Sequence, residues 1–267
     1  MQLNQIALLL AILLCATLFA PSGLAAEDAA IAEIPLDTTL RFLVRPTLMG
    51  LVPPDDSEGY GEAFIRVLDV AASSLTVRYE IKEHVAPEER DIVSATRIRR
   101  GDITVRGVRD GTGITPPLFW PDGDWETGDG LLWLPLAGFT QLRESGGCSW
   151  NVGFNGNADS DAVLQLNQHI ERMRDQVRLA EDEAITLERT AEQVNYPCWI
   201  NGVRSELPAL RAVDSIGLAE YWILDDPRNP LVLKMSFIPP VIEDAEVALG
   251  LGLVETGAGY AVIEIDF

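Results

Sequence analysis

The sequence predicts a mainly β protein with one main helix, an antiparallel meander forming a curved sheet or sandwich packed on that helix. Three observations predict it. Strand-period alternation recurs along most of the chain, two consecutive hairpin signals fall between Leu187 and Phe237, and sustained helical periodicity is confined to one segment after Asp159.

The chain opens with an unbroken apolar run, Ile6–Ala20, broken by Pro21-Ser22 and followed by Gly23-Leu24-Ala25-Ala26. An apolar stretch of about 7–15 residues followed by small residues reads as a secretory signal peptide, whereas a membrane-spanning helix needs about 20. Cleavage is expected after Ala25 or Ala26, which leaves 27–267 as a single β-rich exported domain. An uncleaved anchor is the rival reading. The segment Met1–Gln5 carries no Lys or Arg, which departs from the usual signal pattern. Leu14 stands before Cys15 where a lipobox has a small residue, which disfavours lipidation. No later run reaches 18 apolar residues, so the mature chain is not expected to span a membrane as a helix.

Leu40–Pro46 reads as an apolar strand, ended by the loop Val52–Ser57. Ala63–Val70 and Leu75–Ile81 alternate on either side of Ala71–Ser74 and read as a hairpin with one buried and one wet face. Ala95–Val108 repeats the pattern, with a turn expected at Gly101-Asp102. Asp110–Gly138 is rich in Gly, Pro and Asp, with Trp120, Trp125 and Trp133 interleaved. The tryptophans read as a plug over the end of a sheet rather than a ligand-binding lip.

Asp159 or Ser160 serves as N-cap of the helix, and Ala162, Val163, Leu166, Ile170 and Met173 recur on one face until about Arg174. Alternation resumes at Val194–Ile200. Asn201-Gly202 follows, the strongest short hairpin signal, because a type I′ turn requires positive φ at both positions. Pro197 and Pro208 cannot donate to a ladder and suggest edges or bulges. Ala219–Leu224 and Leu231–Phe237 flank a second, longer turn, Asp225-Asp226-Pro227-Arg228-Asn229-Pro230. Its Asp and Asn side chains are expected to cap backbone amides rather than hold a metal. Tyr260–Phe267 is the last strand. Its alternation to a terminal aromatic also raises an outer-membrane barrel as a rival fold.

Several short motifs stand in this region: Leu187-Glu188-Arg189 opening a strand, Ile200-Asn201-Gly202 at the hairpin, Leu207-Pro208-Ala209 with Arg211-Ala212, and Tyr221–Leu233 containing Leu-Asp-Asp-Pro-x-Asn-Pro-Leu. With the basic stretch Arg97–Asp102 upstream, Leu187–Phe237 resembles an exported domain of proteobacterial envelope proteins that often precedes an OmpA-like peptidoglycan-binding domain. The resemblance implies an exported, β-rich envelope domain. It brings no catalytic residues with it. No segment here resembles the OmpA-like part, so peptidoglycan binding is not carried over.

The formal net charge is −21. An acidic surface of that size repels phosphate backbones and anionic membranes, which disfavours nucleic acid as a partner. After cleavage two cysteines remain, Cys148 and Cys198. An even pair in an exported protein reads as a disulfide. The bridge would close a loop of about 50 residues and contribute roughly 4 kcal/mol in the chain-entropy model.

Catalytic signals are sparse. His84 and His169 are the two histidines, and no HExxH, GxSxG, P-loop or GxGxxG appears. Asp110-Gly111-Thr112-Gly113 has an extra glycine relative to an aspartic-protease motif and reads as a turn. Asn155, Asn157, Asp159 and Asp161 place oxygens at alternate positions before the helix, as calcium loops do. Against that reading, Ser160 stands at the sixth position, where such loops carry Gly, and Leu166 stands at the twelfth, where they carry Glu. No cofactor is expected. The expected role is a cell-envelope binding or assembly module with envelope proteins as partners. The alternatives are a periplasmic carrier of a small apolar ligand such as a lipid, and a hydrolase with a dispersed carboxylate site.

Overall fold

Period-two alternation is the local cause of the first strands: Ala63, Ile65 and Val67 are buried while Glu62 and Arg66 face water, and Leu75, Val77, Tyr79 and Ile81 repeat the pattern on the next strand. The structure, a computed structural model, describes residues 34–45, 61–71, 73–85, 95–117, 120–151, 161–180, 183–190, 194–237 and 259–267. Ile31–Phe267 forms one compact unit. The expected signal segment, 1–26, lies outside the described residues.

The strands are β1 (Thr39–Arg45), β2 (Gly61–Val70), β3 (Leu75–Val85), β4 (Ala95–Val105), β5 (Trp125–Thr127), β6 (Gly147–Ser149), β7 (Thr186–Arg189), β8 (Val194–Ile200), β9 (Val203–Asp214), β10 (Ala219–Leu224), β11 (Val232–Phe237) and β12 (Gly259–Asp266). The helices are α1 (Leu136–Ser145) and α2 (Asp161–Val177). One sheet runs β5-β4-β3-β2-β1-β12-β11-β10-β9-β7-β6, and β8 bridges β9 and β12. That bridge closes β8-β9-β10-β11-β12 into a five-stranded barrel, while β1–β5 extend from β12 as an open arm. The fold is thus mainly β and strongly curved, as expected. Most pairings are antiparallel, but β8–β12 and β4–β5 are parallel. Five strands are fewer than the eight of the smallest outer-membrane barrels.

The barrel closes because β12 has three neighbours. One edge pairs with β1 throughout, with a bulge opposite Arg41-Phe42. The other pairs with β11 at Gly259–Ala261 and with β8 at Glu264-Ile265. Asn201 and Gly202 have φ of 48° and 75°, the conformation a type I′ turn requires, and so set the β8–β9 hairpin.

The arm cannot close on itself and is covered instead by the segment after β4. Trp120, 1% exposed, packs edge-on against Phe42 and Tyr79, with ring centroids 6.2 and 5.3 Å apart. Its indole donates to the Thr115 carbonyl at 2.7 Å. Trp133 is also buried and donates to Asn229 Oδ1 at 2.8 Å. Both behave as plugs. Trp125 is half-buried on β5.

Two local expectations are corrected. No turn forms at Gly101-Asp102, where β4 runs straight through. Glycine is needed there because a Cβ would meet the Gly123 carbonyl oxygen at 2.2 Å, where the covering loop crosses the strand. Helix α1 is an addition to the one main helix expected. Pro135 precedes its first residue, Gly146 ends it at φ 84°, and Phe139 and Leu142 are fully buried. The expected helix is α2, and of its described side chains Ile170 and Met173 enter the core.

Candidate functional site

Among the described residues, the outer surface of the sheet carries a groove and a smaller notch. The groove, of about 860 Å³, lies across β12, β1, β2, β3 and β4. Strand register arranges its floor in cross-strand rows. One row reads Glu264, Arg41, Phe64, Glu80, Arg100, and the next reads Asp266, Thr39, Arg66, Arg78, Asp102. These are the wet-face residues of the alternating strands, brought side by side at the ~4.8 Å strand spacing.

Charge is fixed by pairing. Arg78 grips Asp102 with two hydrogen bonds, 2.8 and 2.9 Å, and Arg41 pairs with Glu264 at 3.1 Å. Arg66 and Arg78 are direct cross-strand neighbours, yet each is drawn outward, Arg66 to Asp37 at 2.8 Å and Arg78 to Asp102. The Arg78 guanidinium holds Asp102 below the usual carboxylate range, and Asp102 in turn raises Arg78. At one wall Asp122 and Asp124 accept the backbone N–H groups of Arg100 and Asp102 at 3.1 and 2.9 Å, which covers that stretch of the β4 edge. Lys82 lies 5.2 Å above the half-buried Phe64 ring.

The smaller concavity is a notch of about 470 Å³ in the barrel wall. It opens where β8 and β11 diverge along β12, because Val262 and Ile263 pair with neither on that edge. Pro197 has no N–H to give, and the β8–β12 ladder begins only at Trp199. Tyr196 spans the gap by donating its hydroxyl to the Val262 carbonyl at 2.8 Å. Pro197 therefore marks an interrupted seam, rather than the edge or bulge expected for it.

Cys148 and Cys198 are both buried free thiols, so the expected bridge is not made. Register explains why. Cys148 pairs with Leu187, which pairs with Asp214, while Cys198 pairs with Ser205 on the same strand β9. Positions 205 and 214 are separated by about 30 Å of extended strand, against the ~4.4–6.8 Å between Cα atoms that a disulfide needs. Burial pushes both thiols up to about 11, which leaves almost no thiolate near neutrality.

The calcium candidates Asn155, Asn157 and Asp159 lie outside the described residues, and the Asp161 side chain is not described either. Among the described residues, no three His, Cys, Asp or Glu side chains converge to hold a metal. The side chains of His84 and His169 also lie outside the description. Asp110–Gly113 forms a turn crossed by other backbone, with Gly111 N–H on the Gly107 carbonyl and Thr112 accepting from Asn151.

In the second hairpin turn, one of the three expected side chains caps a backbone amide. Asp226 Oδ1 accepts the Arg228 N–H at 2.9 Å, and Pro227 and Pro230 frame the turn. Asn229 instead receives the Trp133 indole, and Asp225 pairs with Arg143 at 3.2 Å, so this turn also anchors the covering loop and α1. Asp214 is buried and its carboxyl is pushed up by burial, offset in part by the N–H groups of Leu218 and Ala219 at 2.8 and 2.6 Å. It is a turn-forming group.

The groove residues were not singled out from the sequence. The signal was present as charged wet-face positions on β2 and β3, but only the register shows which of them are neighbours. No protein-family model, curated protein or solved structure matches this chain.

Proposed function

We propose that this chain is an exported protein of the cell envelope acting as a non-enzymatic binding or assembly module, with the groove across β12–β4 as its recognition surface. One observation carries the reading: guanidinium and carboxylate groups are fixed in ordered rows over an open concave face of about 860 Å³. Preset charges favour a polar, charged partner, since little side-chain ordering remains to be lost on binding. Asp102, held ionised by Arg78, acts as a fixed anion rather than a proton donor, which favours recognition over hydrolysis. Export is supported by the Ile6–Ala20 run and its small-residue flank.

Two measurements test this. Fractionation with N-terminal sequencing should place a chain beginning near Ala26 or Glu27 in the periplasmic or envelope fraction; an intact cytoplasmic chain refutes export. In chemical cross-linking in intact cells, the wild type should give a discrete adduct that the double variant Arg66→Glu/Arg100→Glu loses at unchanged thermal stability. Retention of the adduct by that variant removes the groove from the assignment.

A further inference from the structure

The notch differs in chemistry from the rest of the molecule. The chain carries 41 acidic residues, yet no carboxylate lines this concavity. Its lining combines the apolar and aromatic side chains Leu43, Pro197, Trp222 and Ile263 with the polar side chains of Asn195 and Ser236. The single cation in the lining is Lys234, whose ammonium lies 4.2 Å from the centre of the Trp222 ring. The ring positions that ammonium without neutralising it, since a cation–π contact leaves the formal charge in place. Lys234 forms no ion pair among the described residues, in contrast to Arg41, Arg66 and Arg78 of the groove. Trp222 is itself held between two strands' cations, with the Arg211 guanidinium 5.5 Å from its ring and paired to Glu220. The ring is therefore presented as a fixed wall.

We infer that the notch between β8 and β11 is a binding site for a small amphiphile with one anionic head group, the head taken by Lys234 and the apolar body by Trp222, Leu43, Pro197 and Ile263. Its volume, about 470 Å³, falls within the range of small-molecule sites. The lack of carboxylates removes local repulsion of an anion, and the ammonium beside an apolar wall discriminates against neutral and cationic amphiphiles of equal chain length. On the inner side of the sheet, Tyr79, Trp120, Phe42 and Tyr260 pack edge-to-face against one another. The site is separate from the groove and does not depend on the function proposed for it.

The test is calorimetric and fluorescence titration of the full mature protein with decanoate below its micellar concentration, beside decyltrimethylammonium. Decanoate should bind saturably at one site and perturb tryptophan emission, and the cationic amphiphile should show no saturable binding. Lys234→Gln, at a half-exposed position, should weaken decanoate at least tenfold with unchanged thermal unfolding. Ile263→Asp, which places a carboxylate in the lining, should abolish binding. The groove variant Arg66→Glu/Arg100→Glu should bind decanoate normally. Absence of saturable decanoate binding, equal affinity in Lys234→Gln, or comparable binding of the cationic amphiphile each overturns the assignment.

Discussion

The ring β8–β12 buries its inner face against itself, whereas the arm β1–β5 leaves its inner face to be covered by chain that follows it. In the ring, Tyr196, Tyr221 and Tyr260 point inward and their hydroxyls are driven to high pKa by burial. In the arm, Trp120 does the covering, and a buried arginine, Arg99, donates to the Trp120 and Pro117 carbonyls to hold the cover down. An aromatic chain, Tyr79–Trp120–Phe42–Tyr260, joins the two regions. The difference has a consequence for the outer surface. The arm can be broad and gently concave because its stability comes from a separate cover, and the groove lies there. The ring has a tight seam, and among the described residues it is interrupted at the notch.

The strongest challenge to that contrast is Trp120→Ala. Loss of a fully buried tryptophan should cost about 3–5 kcal/mol in urea unfolding; a loss near zero would mean the arm is stable without its cover. Next come the thiols. Cys148→Ala and Cys198→Ala should each cost about 1–2 kcal/mol and add in the double variant, as separated sites do. Both thiols should react with Ellman's reagent only after denaturant is added; a double variant no worse than either single one would indicate a bridge. Tyr196→Phe probes the seam and should cost about 1 kcal/mol, the net worth of one buried hydrogen bond. An unchanged stability would show that the Val262 carbonyl finds another partner.

The smallest effect belongs to the groove. Asp102→Asn should cost under about 1 kcal/mol at neutral pH, because the Arg78 pair is exposed. The sign of its pH dependence follows from the lowered folded pKa of Asp102. The stabilisation is present above the unfolded carboxylate value, about 4, and is lost as pH falls through the lower folded value. Thermal unfolding from pH 6 to pH 2 should therefore show a slightly shallower acid limb in the variant than in the wild type.

Much of the fold was legible from local signals. The β2 and β3 faces, the Asn201-Gly202 turn, the Asp225–Pro230 turn and the existence of α2 each depend on residues within a few positions of one another, where period and turn chemistry act. Gly101 was misread because a glycine in a strand has two causes, a turn or a close backbone approach, and the approaching Gly123 carbonyl is 22 residues away. The α1 helix was missed because Leu136–Ser145 follows directly on a Gly- and Pro-rich stretch and only Phe139 and Leu142 are fully buried. The candidate site was least legible. Its charged residues were visible, but their rows were not.

From the sequence alone come the strand content, the buried and wet faces, the turn chemistry, the plugging tryptophans and the acidic balance, all of which rest on alternation, glycine conformation and composition. Only the tertiary structure decided the rest. It inserted β12 between β1, β11 and β8, closed five strands into a ring, separated Cys148 from Cys198 along β9, and laid Arg41, Arg66, Arg78 and Arg100 across one groove. The physical reason is that a strand's alternation specifies which side faces inward but not which strand lies beside it. Partner and register are settled by how the whole set of faces can be buried at once.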